Sequence, residues 1–345
     1  MEYSKEEEIH TIINILDKNY NLDKEKLFVT PVKHFNSPNR HYQINFNRQS
    51  FFLKISENIN SFYRDNYQER LQILMECINR LNNNKFQVEN ILRNNKGNFI
   101  TTYKEKSLRL FEYINGRSFN NSESDIFIAA NSMYKIHKNS SKFIEPKLLK
   151  KISNFKTPYS LHETSKNIKN IVEYTKQCIK KKYFINSLEY FLENISYIER
   201  GINISKDCLI NQDCSLTHLD FHQENIIYTN DNQGVIIDFD NAQIGPIEKC
   251  SAFSIMRFAN YKDSKKLDIN SIYRVANIWV ESYGFANKNL QIKSYLKWMI
   301  FIETEKVLRI IQRYKATKKF SNFITNLEKL HIPNLKFLID YYKEC

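Results

Sequence analysis

Glycine and proline are scarce: six of each punctuate 345 residues. So few breaks predict long helices and few tight turns. Cysteine is equally thin. Its six residues show no CxxC or other paired spacing, which argues against a disulfide framework and for reduced thiols in a cytoplasmic protein. No apolar run approaches membrane-spanning length; "WMIFI" (Trp298 to Ile302) is flanked by Lys297 and Glu303, so no membrane partner is expected. The first ten residues, "MEYSKEEEIH", are charged and lack an apolar signal segment. Internal repeats and low-complexity linkers are missing too.

What is present describes a folded protein. Hydrophobic residues make up 42% of the chain and aromatics 14%, far from a disordered composition. The length suits one large domain or two lobes, with ample core. The net charge of +13 raises the question of nucleic acid. The excess is local, however: residues 141–185 carry eleven Lys and three Glu, with no Arg or Asp. The lysines are spread along a helical-looking segment and show no aromatic-stacking signature. A solvated basic face is the simpler reading, and no nucleic-acid partner is expected.

Hydrophobic periodicity organises the chain. Residues 5–19 carry Ile9, Ile12, Ile13 and Leu16 on one helical stripe. Strand-like runs follow: "KLFVTPV", then "HYQINFN" and "SFFLKIS", the last two joined by a polar turn at Arg48–Gln49. Residues 62–82 read as a helix with Leu71, Leu74, Ile78 and Leu81 on one face. "NFITTY" and "SLRLFEYI" are two more strands, ending at Asn115–Gly116. Beyond Gly116, whose missing Cβ would suit a hinge, residues 121–139 and most of 145–205 are helical. A compact β segment then interrupts, and from Ser251 onward the pattern is helical again. The expected architecture is α+β: a β-rich lobe at 1–115 with one main helix, then a largely helical lobe at 116–345 with a small β insertion.

The interrupting stretch, "THLDFHQENIIYTNDNQGVIIDFDNAQIGP" (Thr217 to Pro246), carries the chemistry. Asp220 and Asn225 share a loop between extended pieces, and Asp238 ends a strand able to pair beside it. An Asn and an Asp that converge can hold Mg²⁺, which takes few carboxylates together with phosphate oxygens and water. Asp220 is then left to take the proton of an attacking hydroxyl. Metal on the phosphates and one carboxylate on the nucleophile is the division of labour in phosphoryl transfer. Asp240 lies two residues beyond Asp238, so in an extended strand both side chains share a face. It either adds a second metal contact or is structurally bonded. His218 and His222 are spaced for zinc on a helix, but the strand-like flanks speak against a helix. Both read as loop residues.

The pattern H-x-D-x-x-x-x-N…D-F-D resembles the protein-kinase signature. In the form "HLDFHQEN…IIDFDNAQIGP" it is more similar to the aminoglycoside phosphotransferase and choline kinase-like superfamily. Within it, the likeness is to type II homoserine kinases, stress-response kinases and CotS-type spore-coat kinases. Upstream, "RHYQINFNRQSFFLKIS" resembles the strand pair that presents an ATP-binding lysine, here Lys54. "RLFEYINGRSF" resembles the hinge whose backbone binds adenine, at Glu112, Tyr113 and Ile114. "AANSMYKIH", ending at His137, resembles a helix of the second lobe. The resemblance implies a bilobal protein-kinase-like fold with ATP and Mg²⁺ as cofactors. Asp220 would be the catalytic base and Asn225 and Asp238 the metal ligands. The phosphoryl group would pass to a hydroxyl of an amino alcohol, amino acid, sugar or aminoglycoside. A kinase-fold scaffold without catalysis, of the spore-coat type, is the alternative. The survival of Lys54, Asp220, Asn225 and Asp238 together favours the enzyme. An acidic cleft for a polycationic acceptor would draw on Glu281, Glu303 and Glu305.

The chain departs from the pattern in three places. The phosphate-covering loop, "FNSPNRH", has no glycine, leaving Ser37 and Asn39 as candidate phosphate contacts. The helix after Lys54 should bring it a glutamate, and Glu69 is the candidate. Cys250 stands where relatives place an aspartate that anchors the catalytic loop, and a thiol is a weak acceptor.

Overall fold

A computed structural model of the chain describes residues 5–32, 39–57, 67–155, 168–180, 185–210, 212–260, 267–317 and 321–344. The chain divides into two compact units. The first comprises Met1–Ser118, Lys138–Lys156 and Ile227–Ala242; the second comprises Phe119–His137, Thr157–Ile226 and Gln243–Cys345.

The first unit is built on a five-stranded antiparallel sheet in the order β1-β2-β3-β5-β4. Its strands are β1 (Leu27–Val32), β2 (Arg40–Phe46), β3 (Gln49–Glu57), β4 (Thr101–Tyr103) and β5 (Lys106–Glu112). The period-2 pattern of β3 puts Phe51, Leu53 and Ile55 into one core, with Leu108 and Leu110 from β5 and Ile12, Ile15 and Leu16 from helix α1 (Lys5–Tyr20). Even-numbered residues of β3 therefore face the other way. The β2–β3 hairpin closes Phe46 onto Gln49, so its turn lies at Asn47–Arg48, one residue earlier than the polar pair suggests. Both turn residues have positive φ, 51° and 81°, the twist a two-residue hairpin needs. Helix α2 (Tyr67–Asn83) buries Leu71, Leu74, Ile78 and Leu81 as the stripe predicts, and Arg70 with them.

Gly116 is not a free hinge. A Cβ there would stand 2.6 Å from both Ile227 Cγ2 and the Tyr228 carbonyl oxygen. The neighbouring Arg117 and Tyr228 exchange backbone hydrogen bonds at 2.9 and 3.0 Å. The glycine is needed for this close approach of two strands.

The second unit is mostly helical. A 30-residue helix (Lys288–Thr317) packs against helices Ile195–Ser205, Ile247–Ala259 and Ile332–Glu344. Its apolar centre includes a ring cluster of Phe119, Phe221, Phe258 and Trp279. A two-stranded ladder pairs Cys214–Thr217 with Gln243–Pro246, antiparallel, and so brackets the "HLDFHQEN" loop. Among the described residues no helix is long and apolar enough to cross a membrane, and the described cysteines are free thiols.

Candidate active site

In the first unit, Lys54 is the centre of a buried ionic cluster. It sits on the α2-facing side of β3, 5% exposed. The sheet register sets Arg109 of β5 directly opposite it. Two cations side by side on one sheet face repel, so the pair requires acids. Asp238 and Asp240 supply them: Lys54 Nζ lies 2.6 Å from Asp238 Oδ1 and 2.8 Å from Asp240 Oδ2. Arg109 grips Asp240 with both ends of its guanidinium, through Nη1 to Oδ1 and through Nη2 to Oδ2 at 3.0 Å. Its Nη2 also donates to the Ser56 hydroxyl at 2.8 Å. Burial alone would lower the lysine's pKa; the two carboxylates outweigh it and hold it above the ordinary range. Burial would likewise raise the Asp240 carboxyl, yet Arg109 and Lys54 keep it well below the usual value.

The route to this meeting differs from the extended strand read in the sequence. The strand Gly234–Ile236 stops short of Asp238, which takes a left-handed conformation (φ 63°, ψ 57°), and Phe239–Asn241 form a 3₁₀ turn. Asp tolerates that conformation better than most residues. Glu89 holds it in place: its carboxylate accepts the backbone N–H of Asp238 at 3.1 Å and of Phe239 at 3.4 Å. Burial, with the Asp238 charge next, pushes the Glu89 carboxyl up to about 7. Arg70 completes the frame, donating to the Asp240 and Ala242 carbonyls at 2.7 and 2.8 Å.

The remaining first-unit candidates lie apart from this cluster. Glu69 is exposed on α2, while Glu76 is paired with Arg80 and Arg93. The carboxylates on Lys54 come from the Asp238 segment instead. Glu112, Tyr113 and Ile114 line a cavity of about 460 Å³ with Asn82, Lys85, Phe86, Gln87, Val88, Asn90 and Val235. That cavity shares no lining residue with the Lys54 cluster. The N–H groups of Glu112 and Tyr113 donate to the Asn90 and Ser50 carbonyls. Asn39 is half-buried just before β2, and Ser37 lies outside the described residues.

In the second unit, the "HLDFHQEN" loop is tightly cross-braced. Leu219 is left-handed (φ 59°), a strained setting for a leucine, and turns the chain into Asp220. The Asn225 side-chain amide donates to the Asp220 carbonyl at 2.8 Å and lies 3.2 Å from His222 Nε2. His222 Nδ1 accepts the Glu224 N–H at 3.2 Å, and its Nε2 stands 3.9 Å from Asp220 Oδ1. Burial, with Asp220 opposing it, lowers the His222 pKa. The Asp220 side chain keeps 41% of its surface exposed. His218 is buried and braces the loop, its Nδ1 facing the Asp220 N–H at 3.4 Å.

Cys250 lies behind this loop. It is fully buried in the first turn of the Ile247–Ala259 helix. Burial pushes its thiol up to about 11, and the backbone N–H groups of Leu219 and His218 beside it oppose that rise. His137 is also buried; its Nδ1 lies 2.8 Å from the Tyr283 hydroxyl and its carbonyl accepts from Ser215. Burial drops its pKa to about 3.

The three acids expected to line an acidic cleft are each held by cations. Glu281 pairs with Lys288, Glu303 with Lys306 and His331, and Glu305 with Lys249 and Arg309.

A five-stranded antiparallel sheet carrying a buried, acid-paired lysine, with a helical unit carrying an H-x-D-x-x-x-x-N loop, defines a protein-kinase-like fold. The chain belongs to the phosphotransferase enzyme family, whose pattern matches residues 36–248. No curated protein matches it by sequence. Solved structures do. A spectinomycin phosphotransferase, solved with ADP and spectinomycin, is 14% identical, with 97% of this chain and 98% of that one covered at a TM-score of 0.64. A microcompartment-associated aminopropanol kinase is 11% identical over 97% of each chain, TM-score 0.62. An ethanolamine kinase of Plasmodium vivax is 13% identical over 99% of this chain and 90% of that one, TM-score 0.61. At such identities the likeness is one of fold.

Proposed function

We propose that this chain is an ATP-dependent small-molecule kinase that moves the γ-phosphoryl group of ATP to a hydroxyl of its acceptor. The observation that carries the reading is Lys54: a lysine buried in a strand, held by two carboxylates of the "DFD" segment. Lysine is rarely placed so without a specific task, and neutralising phosphate oxygens is one that uses a fixed cation.

Roles follow from the chemistry of each side chain. Asp220 accepts the proton of the acceptor hydroxyl as that oxygen bonds to the γ-phosphorus and the β–γ bridging oxygen leaves with ADP. Lys54 binds α- and β-phosphate oxygens. Among the described residues no cluster of three or more His, Cys, Asp or Glu could hold a metal by itself. The donors on offer are the Asp238 carboxylate, 41% exposed, and the Asn225 amide oxygen. One carboxylate and one amide suit Mg²⁺ completed by phosphate and water; bound there, it would neutralise charge on the transferring group. Adenine would be read by the Glu112–Ile114 backbone, where the Ile114 N–H has no partner among the described residues. Ser37 and Asn39 are assigned to the phosphates. The nucleotide-binding lobe then corresponds to 1–115 and the catalytic, acceptor-binding lobe to 116–345, working in the cytoplasm on a small molecule, with no call for nucleic acid or membrane.

For the acceptor we favour an amino alcohol or amino acid over a polycation. Glu281, Glu303 and Glu305 are paired within the protein, and the net charge of +13 works against a polycationic ligand. The test is purified protein with MgATP against a panel of amino alcohols, amino acids, sugars and aminoglycosides, reading ADP and the acceptor's mass. A phosphorylated acceptor in one class names the substrate. No transfer to any class would favour the scaffold reading.

A further inference from the structure

The sequence leaves Asp240 between two roles, and its surroundings separate them. Both carboxylate oxygens are engaged: Oδ1 by Arg109 Nη1, Oδ2 by Arg109 Nη2 at 3.0 Å and by Lys54 Nζ at 2.8 Å. Its side chain is 16% exposed, against 41% for Asp238. Arg109 is fully buried and faces Lys54 across the β3–β5 register. A bidentate guanidinium fixes a carboxylate in both position and plane. The backbone on either side is fixed as well, because Arg70 of α2 holds the Asp240 and Ala242 carbonyls. α2 offers Lys54 no carboxylate in exchange: Glu69 is exposed, and Glu76 is occupied by Arg80 and Arg93. The helix sends a cation toward the "DFD" backbone, where an acid toward Lys54 was expected.

We propose that Asp240, clamped by Arg109, is the positioning residue for Lys54, and that it does not serve as a metal ligand. Asp238 is then the only acid of the segment that can turn from Lys54 to a cation. Lys54 keeps one fixed partner, Asp240, when Asp238 is engaged elsewhere. Arg109 acts through Asp240: it cancels the charge that would otherwise collapse Lys54 onto both acids. The proposal rests on the kinase reading for what Lys54 is positioned to do, but not for the positioning itself.

Acylation of Lys54 by an amine-reactive ester, in nucleotide-free protein, tests it. Peptide mass spectrometry would score Lys54 against the other lysines of the chain. Asp240→Asn is expected to raise Lys54 labelling about tenfold, the order set by loss of one charge-assisted hydrogen bond, whereas Arg109→Gln, which leaves Asp240 to Lys54 alone, is expected to lower it. Melting curves taken alongside separate this from general loosening, which would raise labelling at buried lysines alike. If Arg109→Gln does not fold, Arg109→Lys keeps the charge but not the fork, and a smaller fall is expected. Unchanged Lys54 labelling in Asp240→Asn overturns the proposal. Calorimetry with AMP-PNP, with and without Mg²⁺, supplies the second arm. Asp240→Asn is expected to weaken binding in both conditions alike. A loss confined to the Mg²⁺ titration would make Asp240 a metal ligand and overturn the proposal. A wild-type protein that binds no nucleotide would fell the kinase reading, while the labelling arm would still decide the positioning.

Discussion

Asp220 and Asp238 are equally exposed, 41% each, yet their neighbours give them different work. Asp238 lies against the Lys54 ammonium at 2.6 Å. Asp220 has the His222 ring at 3.9 Å, whose pKa burial lowers, and a loop that fixes its backbone through Asn225. Asp220→Ala should therefore lower kcat by about 10²–10⁴, the usual worth of a general base, and leave ATP affinity nearly intact. Normal turnover in this variant would remove Asp220 from the mechanism. A different buried acid governs the response to pH. Burial alone would raise Glu303, but Lys306 and His331 hold it down at about 2, below an unfolded carboxyl near ~4.3. A depressed acid adds stability that is complete above the unfolded value and lost as pH falls through the folded one. Stability should fall between about pH 4.3 and 2, by on the order of 3 kcal/mol from this site, and the melting temperature with it. Glu303→Gln should flatten that limb; an unchanged profile would show that other carboxylates carry the acid transition. Lys54, Asp220, Asn225 and Asp238 could be named from the sequence because their types and spacings match what phosphoryl transfer calls for. Arg109, Arg70 and Glu89 could not, because each meets its partner 131 to 172 residues away. A weaker signal was present: Arg109 stands between Leu108 and Leu110, and Arg70 lies on the α2 stripe four residues before Leu74, both odd places for a cation.

At the scale of elements, the strands of the first sheet and helix α2 followed from period-2 and period-3.6 patterns, since one face of each is buried. Two connections did not. The hairpin turn fell at Asn47–Arg48 because twist, not polarity, selects its residues. The "DFD" segment left the extended state because Glu89 accepts two successive N–H groups there, a contact no local pattern announces. The Ile247–Ala259 helix is where an element-level change can be tested. Cys250 sits in its first turn, facing the Leu219 and His218 amides. A carboxylate in that place would accept both amides and sit at the positive end of the helix, which favours it by about 0.5–2 kcal/mol over a non-capping side chain. Opposing this is the desolvation of a charge in a fully buried position, which is severe only if the charge is left unpaired. With two donors already aimed at the sulfur, the first effect should win. Cys250→Asp is expected to raise the melting temperature and to leave kcat equal or greater. A lower melting temperature, with Cys250→Ala neutral, would show that the thiol is held as a small apolar group and that the two amides need no acceptor.

For the whole molecule, the proposed roles give Lys54 to the phosphates and Asp238 to the cation, and this division of labour makes a prediction about magnesium. A ligand that binds only the folded protein stabilises it by RT ln(1 + [L]/Kd), about 2.7 kcal/mol at a hundredfold excess over Kd. ADP or AMP-PNP should therefore raise the melting temperature, and Mg²⁺ should raise it further by bridging nucleotide and protein. The two increments depend on different residues. In the proposed roles Lys54 meets the phosphates directly, so its contribution would survive chelation, and Asp238 reaches the nucleotide only through the cation. Asp238→Ala should then keep the nucleotide increment and lose the Mg²⁺ increment, and EDTA should change nothing further in that variant. The substitution also frees Lys54 from one of its two acids, which leaves Asp240 as its partner and keeps the buried ammonium paired. Folding should therefore be retained, so the magnesium result can be read. Calorimetry of the same proteins with and without Mg²⁺ gives the affinities behind the melting shifts. An intact magnesium effect in Asp238→Ala would take this residue out of the metal site, and Asn225 would have to act with some other acid.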